Sequence, residues 1–114
     1  MTNAKLMTID ENDYSNLKYY MPGNDVLQQM ANYFSVYADA TRLKILSALA
    51  IKSMCVSDLS LVLDANQSTI SHQLKYLKAL GIVKDYRQGK IIYYAICNDN
   101  VNDILLNGVN YLMP

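Results

Sequence analysis

Asn66-Gln-Ser-Thr-Ile-Ser-His-Gln-Leu-Lys-Tyr-Leu-Lys-Ala-Leu-Gly81 is the stretch that decides how this chain is read. Ile70, Leu74 and Leu77 recur at i, i+4 and i+7, the spacing that puts them on one face of a helix. Ser68, Ser71, His72 and Lys75 take the opposite face, with Gln67 at its start. The segment holds no acidic residue, although ordinary solvated helices usually carry glutamate; the only Glu in the chain is Glu11. Asn66 is placed to accept from the exposed N–H groups of the first turn. Gly81 is placed to end the helix in the left-handed conformation. Only the first two turns of such a helix reach base edges in the major groove. Gln67, Ser68, Ser71 and His72 are hydrogen-bond formers of suitable reach for that task. Lys75 lies further along, where a phosphate is the nearer target.

The flanking sequence extends the pattern. Asp39 is a cap for a helix from Ala40 to about Ala50, with Leu43, Leu46 and Leu49 turned inward. Ser53 to Val56 reads as extended and leads into a helix near 56–63, anchored by Leu59 and Leu63. Asp64-Ala65 makes the turn. Downstream, 82–86 and 91–96 read as two strands, the second rich in β-branched and aromatic residues. Gln88-Gly89-Lys90 forms the tip between them, with Arg87 at its base. A basic tip of this kind can enter the minor groove or grip the backbone beside it. Helix, helix, polar-faced helix and basic hairpin, in that order, predict a mainly α fold with a β-hairpin wing: a winged helix-turn-helix.

Around this centre lie two more helical patterns. Residues 1–10 show no periodicity and are expected to fray. A short helix over 11–20 places Tyr14, Leu17 and Tyr20 or Met21 on one face, and Pro22-Gly23 stops it. Asn24 or Asp25 caps the next helix, where Leu27, Met30, Ala31 and Phe34 recur at helical spacing. The last helix, about 101–112, aligns Val101, Ile104, Leu105, Val109 and Leu112. We therefore divide the chain into an N-terminal extension, 1–23, and a DNA-binding and dimerisation domain, 24–114.

Composition sets further bounds. A chain of 114 residues with 52% hydrophobic residues suits one ordered domain with a thin core. The net charge of zero hides a segregation. Residues 1–40 set two lysines against five carboxylates, net −3; residues 41–97 set eight cations against three aspartates, net +5; residues 98–114 hold only Asp99 and Asp103, net −2. A basic middle between acidic ends directs positive charge at phosphates. No apolar run approaches the roughly 18 residues of a membrane span. The start of the chain lacks a basic region followed by an apolar block, and there are two cysteines, so a reducing cytoplasm is expected. No metal triad, glycine-rich phosphate loop or Ser–His–carboxylate set is visible, so no catalytic residue, cofactor or metal site is assigned.

Four motifs, Asp39-Ala-Thr-Arg-Leu-Lys-Ile-Leu46, Cys55-Val-Ser-Asp-Leu59, Gln67-Ser-Thr-Ile-Ser-His-Gln-Leu74 and Gly89-Lys-Ile-Ile-Tyr-Tyr94, occur in an order and spacing that resembles the ArsR/SmtB family of bacterial repressors. The resemblance covers about residues 25–112. It implies a homodimer joined through the first and last helices of the winged-helix domain. It also implies repression from a palindromic double-stranded DNA operator, with release by an inducer. Thr41 and Arg42 would then lie near phosphates. With the segments above, the DNA-binding set is Thr41, Arg42, Gln67, Ser68, Ser71, His72, Lys75, Arg87, Gln88 and Lys90.

The inducer is not legible. One family site is built on Cys-Val-Cys-Asp-Leu-Cys; here the segment is Cys55-Val-Ser-Asp-Leu-Ser60, and hydroxyls are poor ligands for a soft ion. A second family site on the last helix corresponds to Asn98, Asn100, Tyr111 and Pro114, none a good zinc ligand. A third pairs cysteines in the second and last helices, and Ser47 stands at the first of these positions. Cys55 and Cys97 remain. The extended stretch before 56–63 often pairs with the hairpin, which would bring them near each other as a redox or sulfide-responsive pair; the alternative is two small buried apolar residues. Tyr14, Tyr19, Tyr20, Tyr33 and Tyr37, with Met7 and Met21, either line an organic-ligand pocket or thicken the dimer interface. A dimerisation or adaptor module without DNA binding is the other class left open.

Overall fold

Asp39 opens the helical core. In the computed structural model, which describes residue 6 and residues 8–113, its carboxylate accepts the backbone N–H of Arg42 at 2.9 Å. That bond satisfies one of the donors a helix leaves open at its start. The described elements run α1 (Glu11–Tyr20), α2 (Asn24–Ser35), a 3₁₀ turn (Val36–Ala38), α3 (Ala40–Ile51), α4 (Val56–Leu63), α5 (Gln67–Ala79), β1 (Val83–Gln88), β2 (Ile91–Ile96) and α6 (Asn100–Leu112). The described residues fall into two compact units, the first ending at Phe34 and the second beginning at Ser35. Met7 and Pro114 lie outside the described residues.

In the first unit, Asp10 caps α1 by accepting from the Asp13 N–H at 2.7 Å. Met21 then closes α1 by donating to the Leu17 carbonyl at 3.0 Å. Pro22-Gly23 breaks the chain there, as the sequence predicts. Neither α1 nor α2 has a buried residue. Leu17, Val26, Leu27, Met30 and Phe34 are all exposed.

The second unit holds the core. Ile45, Leu46, Leu59, Ile70, Leu74, Leu77 and Val101 are fully buried, with Val36, Ile82 and Val83 beside them. The expected Leu46, Leu49 and Leu59 are buried, while Leu43 and Leu63 are only half-buried. Ile45 and Ala48, which the sequence reading passes over, complete the inner face of α3.

Two helix ends fix the geometry around α5. Asp64 has φ 51°, the left-handed region, and ends α4; the Ala65 N–H donates to the Ser60 carbonyl at 3.1 Å. Aspartate tolerates this conformation better than most residues because its short polar side chain can bond locally. Gly81, with φ +74°, ends α5, and the Ile82 N–H reaches back to the Leu77 carbonyl at 3.0 Å. This six-to-one bond is the Schellman closure, and it carries the buried Ile82 directly into the sheet. β1 and β2 pair antiparallel from Val83↔Ile96 to Gln88↔Ile91. The turn is therefore Gly89-Lys90 alone, and Gln88 belongs to β1 instead of the tip. Gly89 has φ +63° and supplies the first turn position, as in a II′ hairpin. Met54 adds a bridge to Tyr94, with N–H···O bonds of 3.2 and 2.9 Å, so the stretch before α4 does pair with the hairpin. The result is a winged helix-turn-helix.

Candidate nucleic-acid interface

The Asn66 side chain accepts from the Thr69 N–H at 2.8 Å. This cap starts α5 at Gln67 and fixes which residues point out. With Ile70, Leu74 and Leu77 fully buried, Gln67, Ser68, Ser71, His72 and Lys75 are all exposed. At 100° per residue they span an arc of roughly 140°. Gln67 does not hang free: its Nε2 donates to Ser57 Oγ of α4 at 3.4 Å. Ser57 lines one surface depression of about 490 Å³ with Lys90, Ile91 and Cys55. Ser57 thus touches Gln67 at the start of α5 and borders the same depression as Lys90 of the hairpin turn. Arg87, Gln88 and Lys90 are exposed around that turn.

Two cations of the basic middle are occupied within the fold. Lys78 Nζ donates to Asp85 Oδ2 at 2.9 Å, tying α5 to β1. The hydrogen bond and charge of Asp85 raise the Lys78 pKa above the ordinary lysine value. Arg42 is half-buried and faces inward. Its Nε donates to the Val36 carbonyl at 3.0 Å, its Nη2 to the Ser35 carbonyl at 3.3 Å, and its Nη1 to Gln73 Oε1 at 3.4 Å. Its guanidinium carbon sits 4.8 Å from the Tyr76 ring centroid. Three of its five N–H groups are thus spent inside the protein, which leaves little of the fork for a phosphate. Thr41 beside it is half-buried. Ser57, Gln73 and Tyr76 are the partners that the sequence reading missed. Gln73 and Tyr76 lie three apart on α5, outside both the apolar and the DNA-facing sets, which is the signal they offered.

The model of the arsR family of bacterial regulatory proteins matches residues 39–85, which span α3, α4, α5 and the start of β1. A transcriptional repressor SmtB homolog from Synechocystis is 38% identical over 88 residues, covering 77% of this chain and 67% of its own. The chain belongs to the ArsR/SmtB family. Its fold agrees with an antimony-specific transcriptional repressor, AntR, at a TM-score of 0.71, 30% identity, and coverage of 79% of this chain and 82% of that one. It also agrees with a homodimeric winged helix-turn-helix DNA-binding domain from Mycobacterium bovis, at a TM-score of 0.68, 28% identity, and coverage of 81% and 90%. This is an ArsR/SmtB-type transcriptional repressor with a winged-helix DNA-binding fold, and its relatives are repressors, not enzymes. Among the described residues, no helix is long and apolar enough to cross a membrane.

The donor sets at the family's metal positions do not fit a metal in this ArsR/SmtB protein. Ser57 Oγ accepts from Gln67, and Ser60 Oγ donates to the Ala65 carbonyl, so both hydroxyls serve the helix-turn-helix. Asn98 Oδ1 accepts from the Asn100 N–H at 3.0 Å and helps start α6. Tyr111 is 85% exposed. Among the described residues, no group of three or more His, Cys, Asp or Glu side chains is placed to hold a metal ion. Cys55 and Cys97 are free thiols. The antiparallel Met54↔Tyr94 register carries Cys55 towards Tyr93, four positions or roughly 13 Å along the chain from Cys97. A disulfide needs Cα atoms within about 7 Å. The Cys97 thiol instead donates to the Gly81 carbonyl at 3.2 Å.

Proposed function

We propose that this repressor binds a palindromic operator as a homodimer and reads it with α5. Gln67, Ser68, Ser71 and His72 meet base edges. Lys75, Thr41, Arg87, Gln88 and Lys90 hold phosphates or the adjacent minor groove. One observation carries the reading: α5 exposes an uncharged and basic face without a carboxylate, and Ser57, which holds Gln67, borders the same depression as Lys90 of the glycine-turned basic hairpin.

The pairing of two chains is supported by exposed apolar side chains on two helices, one in each unit. On α2, Leu27, Met30 and Phe34 are exposed. On α6, Val109 is 51% exposed and Leu112 76%. Faces of this kind are what an obligate dimer buries. In this reading residues 24–114 form the DNA-binding and dimerisation domain, and residues 1–23 an extension. An inducer releases the operator, and neither a metal at the family positions nor a Cys55–Cys97 disulfide is favoured as the trigger.

The test is direct. Selection from a random duplex pool should recover a twofold-symmetric site bound by two chains. The log–log salt dependence of binding should be steeply negative. His72→Ala or Gln67→Ala should lose preference for the selected duplex while binding to shuffled duplex persists. Equal affinity for selected and shuffled DNA would end the sequence-reading account, and binding to neither would leave the adaptor alternative.

A further inference from the structure

We propose that Arg42 is a positioning residue that sets the rotation of α5 about its axis, and not a phosphate contact. The inference rests on α5 being the reading helix. The geometry that carries it lies within residues 35–114. Arg42 stands in the first turn of α3, held there by the Asp39 cap. From that base its planar fork reaches three separate places. It takes the carbonyls of Ser35 and Val36, at 3.3 and 3.0 Å, on the segment that enters α3. It takes Gln73 Oε1 at 3.4 Å, on the flank of α5. It also lies over the Tyr76 ring, one turn further along the same flank, at 4.8 Å from the centroid.

The buried stripe Ile70, Leu74 and Leu77 sets the depth of α5 and which face turns inward, but apolar contact is non-directional and defines the remaining rotation less sharply than directional contacts do. Hydrogen bonds and a flat cation–ring stack are directional. Arg42 makes both on one flank of α5. It thereby resists a roll that would swing Ser68, Ser71 and His72 away from the bases. Lysine cannot replace it, because a point charge with rotatable donors reproduces neither the fork nor the stack. A phosphate contact would make a different demand: its loss would weaken binding to both duplexes and lower the salt slope.

The experiment compares wild type, Arg42→Lys, Arg42→Gln and Tyr76→Leu. Each binds two fluorescent probes: a duplex selected from a random pool with wild-type protein, and a shuffled duplex of the same composition. Salt is varied from roughly 50 to 200 mM. Positioning predicts that Arg42→Lys and Arg42→Gln both weaken selected binding by about tenfold, equivalent to about 1.4 kcal/mol. Shuffled binding should change by less than about twofold, and the salt slope should match wild type. Tyr76→Leu, at a ring already 37% exposed, should weaken selected binding by about two- to fivefold with the same slope. It keeps the test alive if an Arg42 variant fails to fold.

A second readout needs no DNA. In the free protein the Arg42 Nε proton should exchange slowly and show a Tyr76 ring-current shift that Tyr76→Leu abolishes. The proposal is overturned if Arg42→Lys binds like wild type while Arg42→Gln lowers the slope by about 0.9, the signature of one lost phosphate contact. Parallel loss on both duplexes, or a fast-exchanging Nε proton, overturns it equally. Wild type failing to distinguish the duplexes while the Nε signature persists locates the failure in the DNA-reading account itself.

Discussion

Asn66 is the residue whose replacement separates folding from DNA binding most cleanly. Its side chain makes a single 2.8 Å bond to the Thr69 N–H, and it is exposed. Alanine removes the acceptor, but water can reach the freed N–H, so the loss should sit near the middle of the capping range, about 1 kcal/mol. For a chain of this size that lowers Tm by roughly 3–6 °C at fixed protein concentration. The same loss loosens the turn that carries Gln67 and Ser68. If all of it must be recovered on binding, selected-duplex affinity falls by about fivefold. Asn66→Asp separates the two effects. Aspartate keeps the acceptor and adds charge that the helix start favours by about 0.3–1 kcal/mol, so Tm should equal or exceed wild type. It also sets a carboxylate beside the proposed phosphate path, so binding to both duplexes should weaken. Thermal melts and fluorescence anisotropy on the three proteins decide it. Asn66→Asp protein that melts like wild type and binds DNA as tightly would refute the placement of this helix start against the backbone.

Three further outcomes follow from the fold. Leu74→Ala, at a fully buried position, should cost about 2–5 kcal/mol in urea denaturation, a large share of a small domain's stability. Gly89→Ala meets nothing within 4 Å, so its cost is backbone strain at φ +63°, about 1–2 kcal/mol, and amide exchange should rise at the hairpin turn. The Lys78–Asp85 pair raises the folded-state Lys78 pKa above 10.5, so its contribution is complete below that pH and is lost as pH climbs through the raised value. Melts of Lys78→Ala should therefore fall below wild type at neutral pH, and the gap should close in strong base and shrink in high salt.

Much of this architecture is legible in the chain because local signals agree with one another. Asp39 and Asn66 each precede an apolar period of about 3.6 and each caps a helix in the structure. Gly81 and Gly89 both take the positive φ that glycine favours. The pleat and the turn blur the edges. Ile82 reads as strand but serves as the closing residue of α5, and Gln88 reads as turn but pairs with Ile91. Asp64 takes the left-handed region without a sequence signal, because no glycine marks the place. At the interface, the exposed polar set on α5 follows from periodicity alone. The inward turn of Arg42 does not, because Ser35 and Val36 are turned towards it by the 3₁₀ segment that enters α3, and Gln73 reaches it only through the tertiary fold. Charge counting cannot separate a cation facing phosphates from one spent on carbonyls.

Chemical-shift mapping of isotopically labelled protein, titrated with the selected duplex, tests the central claim most directly. The largest perturbations should fall on Gln67–Lys75 and Arg87–Lys90, saturating at two chains per duplex. Perturbations that cluster on α6 or the outer face of α4 and leave Ser68, Ser71 and His72 unmoved would contradict it.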